Sequence, residues 1–507
     1  MQLKYRNLKI LIMAYLALPM LIFAAGYLRW YFALPAVLCL AYAFIKACGA
    51  NSAGRYTKEI RIGVCQIAIL TIVVLLWTYL GGLNGLFYQS NDWPWRNAIY
   101  HDLIDFDWPV IYEEKDSALV YYIGFWLPPA LLAKLAGLIT GSAIWVWRVA
   151  RGALWLWSSL GLMLTALAIM VYSDADRCWK QWLVVLIFVF FSGLDIIGTH
   201  YSERYEWLTS PEVLHLEWWS RNKKQFSSIT TCVYWVFIQS IIPWLATISF
   251  LMEKDARNYI FLGMACMCSG PFPFVGLVFC MAIKWLSTLA NDIRLKQLRT
   301  NLRSTFSLSN ILLAATIFPV LGVFFTSNIS FANTESTDAA LTLLERISAY
   351  FDRKLVVFLL LEVGIYIVLL WHRHVKDVVF YTVAASLVIL PYFHVGFSED
   401  FCMRASIPGV FILMVYCAEY MISELPKFLK NPLYKKAICA CLICALLVGA
   451  VTPLTEMYRG IYHAVTKKTI QLAQDTIGSI GYLDNADNFT AADYSNSLFF
   501  KYMARRP

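Results

Sequence analysis

Three short polar stretches interrupt an otherwise apolar chain, and each holds residue types suited to acid–base or anion chemistry. The densest runs Ser90-Asn91-Asp92-Trp93-Pro94-Trp95-Arg96-Asn97-Ala98-Ile99-Tyr100-His101-Asp102 and continues to Asp105, Asp107 and Trp108. Asp92 offers a carboxylate for proton transfer, and its place ahead of Pro94 also suits a helix N-cap. Asp102 is a second acid, three residues from Asp105 on the same helix face, while Arg96 and His101 supply groups that bind a substrate. Asp107, Glu113, Glu114 and Asp116 read as solvated surface. The second stretch is Ser192-Gly193-Leu194-Asp195-Ile196-Ile197-Gly198-Thr199-His200. An Asp among Leu, Ile and glycines is costly to keep, so Asp195 faces either an interior site or a polar group on a neighbouring helix. Beyond His200 follow His215, Glu217, Trp218, Trp219 and Gln225, with Trp235 and Gln239 in the next apolar run. Aromatic faces pack on sugar C–H groups while carboxylates and amides fix hydroxyls; an aromatic belt at the membrane interface has the same composition. In the third stretch, Phe397 to Pro408, Arg404 enters an apolar run at once. Its charge needs Asp400 one helical turn away, a lipid phosphate, or the headgroup layer reached by snorkelling.

These residues give Asp92, Asp102 and Asp195 as candidate catalytic acids or bases, and Arg96, His101, His200, Glu217, Gln225, Asp400 and Arg404 as candidate substrate-binding groups. No metal-ligand spacing accompanies them, and the use of a divalent metal stays open. Walker, HExxH, GxSxG and dinucleotide signatures are lacking in any usable context.

The elements that must position them are helices in a membrane. Of 507 residues 60% are hydrophobic and 15% charged, at a mean hydropathy of +0.59; a soluble domain carries about 25% charged residues. The expected fold is an all-α, polytopic transmembrane bundle. Runs such as Ile60 to Leu80, Trp182 to Ile197, Leu355 to Leu370 and Ala437 to Val451 approach the roughly 20 apolar residues of a spanning helix, and they lack the alternation of a barrel strand. Thirteen spans are predicted, near 8–26, 30–48, 61–82, 150–172, 181–198, 229–251, a short pair across 258–288, 306–327, 354–371, 378–394, 405–424 and 436–454. The pair across 258–288 breaks at Ser269-Gly270-Pro271-Phe272-Pro273 and reads equally as a re-entrant hairpin.

Lys and Arg favour cytoplasmic loops. The N-terminus, Arg55, Lys58 and Arg61, Arg177 and Lys180, Lys254 and Arg257, Arg294 to Arg303 with Lys296, Arg373 and Lys376, and Lys427 to Lys436 therefore lie inside. The acidic segments lie outside: the loop from Asp92 to Asp116, the loop holding Glu203, Glu206, Glu212 and Glu217, and Glu399-Asp400. The net charge of +9 is mostly this loop signature, so no nucleic-acid partner is expected. Residues 1–454 form the bundle, with outer loops at 83–148 and 199–228, and 455–507 form a small outer tail. Within the first outer loop, 119–138 is expected to lie along the interface as an amphipathic helix with Tyr121, Tyr122 and Trp126 at headgroup depth. Most of the thirteen cysteines, Cys65, Cys441 and Cys444 included, sit in apolar runs and read as small buried hydrophobes.

The acid of Asn91-Asp92 at the start of the first outer loop, followed by Tyr121-Tyr122, Pro128-Pro129 and Gly137 with Arg148, resembles the GT-C class of membrane glycosyltransferases. That class includes the protein mannosyltransferases and the lipid A aminoarabinose transferases. The resemblance covers roughly Leu80 to Phe250; two more spans precede the acidic loop than in the class, and Asn-Asp stands where the class has paired acids. It implies inverting transfer of one sugar from a polyprenyl-phosphate-linked donor to an outer glycan or lipid acceptor. Asp92 would then be the general base, and Arg96 and Arg404 would hold the phosphate. It also implies membrane lipids as partners and a bacterial cytoplasmic (inner) membrane location with the site on the outer face. Three other readings remain: a lipid or polysaccharide transporter or flippase, a polysaccharide polymerase or ligase, and a structural membrane subunit.

Overall fold

Without water to bond its amides, an apolar run must satisfy its backbone internally, and in a computed structural model of the chain these runs are helices. The structure describes residues 2–49, 60–205, 215–220, 224–294, 298–328, 353–393, 400–466, 478–483 and 486–505. Among them nine helices are long and apolar enough to cross a membrane: Tyr5–Tyr27, Trp30–Gly49, Ile123–Thr140, Ala143–Tyr172, Cys178–Tyr201, Pro271–Arg294, Leu308–Thr326, Asp400–Lys430 and Leu433–Thr466. The protein is a multi-pass membrane protein.

Nine described helices, or ten counting one bent pair, stand against the thirteen expected, and the differences are local. Ile229–Trp235 and Phe237–Met252 meet at 117° where one straight span was expected, because Val236 leaves the helical conformation. Val64–Leu80 and Val378–Tyr392 are apolar but shorter than a full crossing. The break near Gly270 is present, yet its second arm is not short: Pro271–Arg294 has 24 residues. Ile123–Thr140, expected along the interface, meets the length and composition of a crossing helix. The helix expected to stop near residue 454 continues with a slight break through Val451–Thr466, which moves the start of the tail. Arg55, Lys58, Glu206, Glu212, Lys296 and Glu399 lie outside the described residues. All thirteen cysteines are free; seven are buried, whereas Cys65, Cys178, Cys441 and Cys444 lie on exposed faces.

Segments assigned to one side by charge meet one another. Gln2–Leu3 pairs antiparallel with Ile60–Arg61 at one end of the first helix. At its other end Leu28 bridges Ala504, and Arg29 donates through Nε and Nη2 to the carbonyls of Ala504 and Lys501. The tail also supplies the third strand of a small sheet, Ile111–Tyr112, Ser117–Leu119 and Thr490–Ala492, with Ala118 opposite Ala491. The loop after Leu80 and the described part of the tail thus fold as one cap.

Asp102 is the bolt of that cap. Its Oδ2 accepts from Tyr112 Oη at 2.6 Å, Ser479 Oγ at 2.9 Å and the Ile480 amide at 2.9 Å, with no exposed surface. Replacing Asp102 by Ala strands three buried donors, so Asp102→Ala is expected to destabilise the protein by about 3 kcal/mol and to speed proteolytic release of the tail. Thermal melts in detergent and timed digestion would show this; unchanged digestion would remove the bolt.

Candidate functional site

The helix Trp93–Asp105 starts with Pro94 in a first turn whose amides have no intrahelical acceptor, so the N–H that Pro lacks is not missed. Asp92 precedes it but makes no side-chain cap bond. Its carboxylate instead pairs with Arg96 Nη2 at 3.0 Å one turn along, and with 54% of its side chain exposed it keeps an open face. Arg96 is only 9% exposed, and its Nη1 has no hydrogen-bond partner among the described residues.

A second guanidinium arrives from the far end of the chain. Arg404, in the short helix Asp400–Ala405, pairs with Asp400 at 3.0 Å and donates to Tyr122 Oη at 3.3 Å, while its buried Nε has no partner among the described residues. The hydroxyls of Tyr121 and Tyr122 bond each other. The charges of Arg96 and Arg404 both act on this tyrosine pair, and those of Asp92 and Asp400 both act on Arg404. The tail completes the floor: Phe489 stacks on Trp95 at 5.6 Å, packs edge-on to Tyr121 at 4.9 Å and accepts the Val120 amide at 2.9 Å through its carbonyl. Two guanidiniums, each with a buried nitrogen unfilled among the described residues, beside an exposed carboxylate, are suited to holding a phosphate.

On the opposite wall the His215 ring meets Glu456 Oε1 at 2.9 Å through Nδ1, and Arg459 lies against both ring nitrogens at 3.3 Å. Arg459 also pairs with Glu456 and lies 5.1 Å over the Trp235 ring, whose Nε1 donates to Glu456 Oε2 at 2.9 Å. Burial pulls His215 below its usual range against the opposing charge of Glu456, and the charge of Asp92 reaches it as well. Tyr88 stacks on His463 at 4.3 Å, fixing the loop before Asp92 to the same helix. Glu217 accepts from Gln225 Nε2 at 2.6 Å and from the Ser228 amide at 2.8 Å, so these two expected residues do meet.

Asp92, Arg96, Asp400 and Arg404 are therefore brought together from positions some three hundred residues apart in sequence. His101 is not among them: it stacks on Trp147 at 5.1 Å and faces Asp105 at 3.2 Å. Asp102 belongs to the cap. His200 sits near the exposed Tyr205 at 3.3 Å. Asp195 is buried deeper, on Ser192 and Thr452. Glu362, Glu456 and Arg459 escaped the sequence reading. Glu362 carried a usable signal, being the lone charge in the apolar run Leu355 to Leu370; Glu456 and Arg459 were hidden by placing the tail too early. Among the described residues no group of three or more His, Cys, Asp or Glu side chains is arranged to hold a metal ion.

Against known proteins, the chain matches no family model, no curated protein and no solved structure.

Burial, with the charge of Asp195, raises the Glu217 carboxyl to about 8. In the folded protein it keeps a proton that the unfolded chain loses near pH 4.5. The stability this contributes is whole below that pH and is lost as pH rises toward about 8. Melting temperature is expected to fall across that window, and Glu217→Gln should make that fall shallower. An identical slope in the variant would assign the titration elsewhere.

Proposed function

We propose that the protein is a membrane glycosyltransferase that moves a sugar from a polyprenyl-phosphate-linked donor to an acceptor hydroxyl. The observation that carries this is the convergence of Arg96 and Arg404 on the Tyr121–Tyr122 pair, each with a buried nitrogen unfilled among the described residues, beside the open carboxylate of Asp92. Asp92 takes the acceptor hydroxyl's proton while that oxygen forms a bond to the anomeric carbon from the face opposite the phosphate. The bond from the anomeric carbon to the phosphate oxygen breaks, its electron pair goes to the phosphate, and Arg96 and Arg404 hold the added charge. Configuration inverts in this single displacement. Trp235 and Trp218, with Glu456 and Gln225 bonded to their indoles, supply the aromatic faces and polar edges that a sugar requires. The acid-rich composition of the loop that starts at Asp92 supports a site on the outer face of a bacterial cytoplasmic membrane.

One observation favours a second reading. Asp195, Glu362 and Glu217 are acids buried within the bundle, as in proton-coupled transporters of lipids or glycans. The two readings differ in product: a transferase makes a new glycosidic bond, whereas a transporter delivers its cargo unchanged.

Membranes holding the protein, given a panel of radiolabelled polyprenyl-phosphate hexoses and pentoses, are expected to form a labelled acceptor product. Asp92→Asn should lower that rate by about 100-fold or more at unchanged expression; a retained rate would remove Asp92 from the base role. Arg404→Ala, losing one charge-assisted contact to the donor, should raise the donor KM by about 10- to 100-fold. Donor moved across proteoliposomes with no new bond formed would favour transport.

A further inference from the structure

Deeper than the sugar site, Asp195 begins a new helix after the Ser192-Gly193-Leu194 break, and Glu362 lies in a single π-turn, Leu360–Gly364, within the helix beside it. The two elements are tied by the Leu194 amide, which donates to the Leu361 carbonyl at 3.0 Å. Gly193 is what lets them close, because a Cβ there would lie 2.0 Å from Glu362 Oε2. Asp195 is 1% and Glu362 3% exposed.

Each carboxyl has one oxygen fully served. Asp195 Oδ2 accepts from Ser192 Oγ at 2.7 Å and from Thr452 Oγ1 at 2.8 Å; Glu362 Oε1 accepts from Trp219 Nε1 at 2.8 Å. The other two oxygens, Asp195 Oδ1 and Glu362 Oε2, have no donor among the described residues, although the two carboxyls stand in hydrogen-bond contact. No Lys, Arg or His among the described residues pairs with either acid. The charged groups facing them are Glu217, which adds negative potential, and beyond it Glu456, whose charge is met by Arg459 and which His215 hydrogen-bonds. The Tyr366 hydroxyl is adjacent but donates to the Ser192 carbonyl at 2.7 Å. Two bare carboxylates in contact, both buried and with no cation paired to them among the described residues, repel strongly; one proton between the unfilled oxygens serves both.

We propose that Asp195 and Glu362 form a proton-binding centre that holds one proton between Oδ1 and Oε2, leaving the pair a single negative charge. The centre is linked to the sugar site by one helix. Thr452, which bonds Asp195, lies on the same buried face of Val451–Thr466 as Glu456, Arg459 and His463. Loss of the proton drives Glu362 and Asp195 apart and loosens the seat of this helix, and with it the His215 wall. Asp195 and Glu362 act on the site as positioning residues. The proton centre stands whether the site transfers sugar or transports it.

The test uses the full chain in lipid nanodiscs, in a Glu217→Gln background so that Glu217 supplies no signal. Infrared spectra at neutral pH are expected to show a protonated-carboxyl C=O band that shifts in D2O and disappears in Glu362→Gln and equally in Asp195→Asn, since either amide removes the shared proton. A band missing from the parent, or surviving both substitutions, overturns the proposal. Should a single variant fold poorly, the Asp195→Asn/Glu362→Gln pair keeps an amide-to-amide contact of the same shape. Its melting temperature should stay level on raising the pH from about 6 to 10, while that of the parent falls. Parallel curves overturn the proposal too, and neither readout depends on sugar transfer.

Discussion

A charge taken out of water must find a partner or lose its ionisation, and in an apolar bundle that single requirement decides which helices meet. Lys9 near one end of the first helix is buried against Glu253 at 2.8 Å. Arg459 and His215 are held by Glu456, which joins the loop 215–219 to the helix Val451–Thr466. Where opposite charge is lacking, as between Asp195 and Glu362, hydroxyls and an indole fill half the oxygens and a shared proton accounts for the rest. Arg96 and Arg404 differ from all of these, because each keeps a buried nitrogen unfilled. A cation left short of partners in a dry setting is poised for an anion that arrives from outside.

The cap matters because it fixes the far end of the helix that carries Asp92 and Arg96. Its far end is bolted to the tail through Asp102, and its near end packs Trp93 on Phe237 and donates the Trp93 indole to the Tyr234 carbonyl at 3.1 Å. Held at both ends, a helix of 13 residues presents Asp92 and Arg96 in one orientation. Phe489, between Trp95 and Tyr121, makes the tail part of the same surface. Such preorganisation lowers the cost of orienting two reactants, the principal help a protein gives to a displacement between bound molecules.

The helix Val451–Thr466 unites the two polar regions. Its buried face runs from Thr452 on the acid pair, through Glu456 and Arg459 on His215, to His463 against Tyr88. A change at the deep end is carried along a rigid rod to the loop before Asp92, and this gives proton occupancy a physical route to the site.

Composition and charge placement alone determined the membrane-embedded helical architecture, because hydrocarbon admits no other use for runs that apolar, and basic loops segregate from acidic ones. They also singled out Asp92, Arg96 and Arg404, since a charge beside an apolar run is expensive wherever the chain goes. The tertiary structure decided which of these charges share one place. Asp102, alike in type and four turns or fewer from Asp92, became a structural bolt, while Arg404 came from across the chain to Tyr122. Pairings of that kind depend on contacts distant in sequence, and no local spacing encodes them. Helix ends were likewise undecided: Val236 breaks one span, and Val451–Thr466 prolongs another because its buried face carries Thr452, Glu456, Arg459 and His463, polar residues that hydropathy reads as the end of a span.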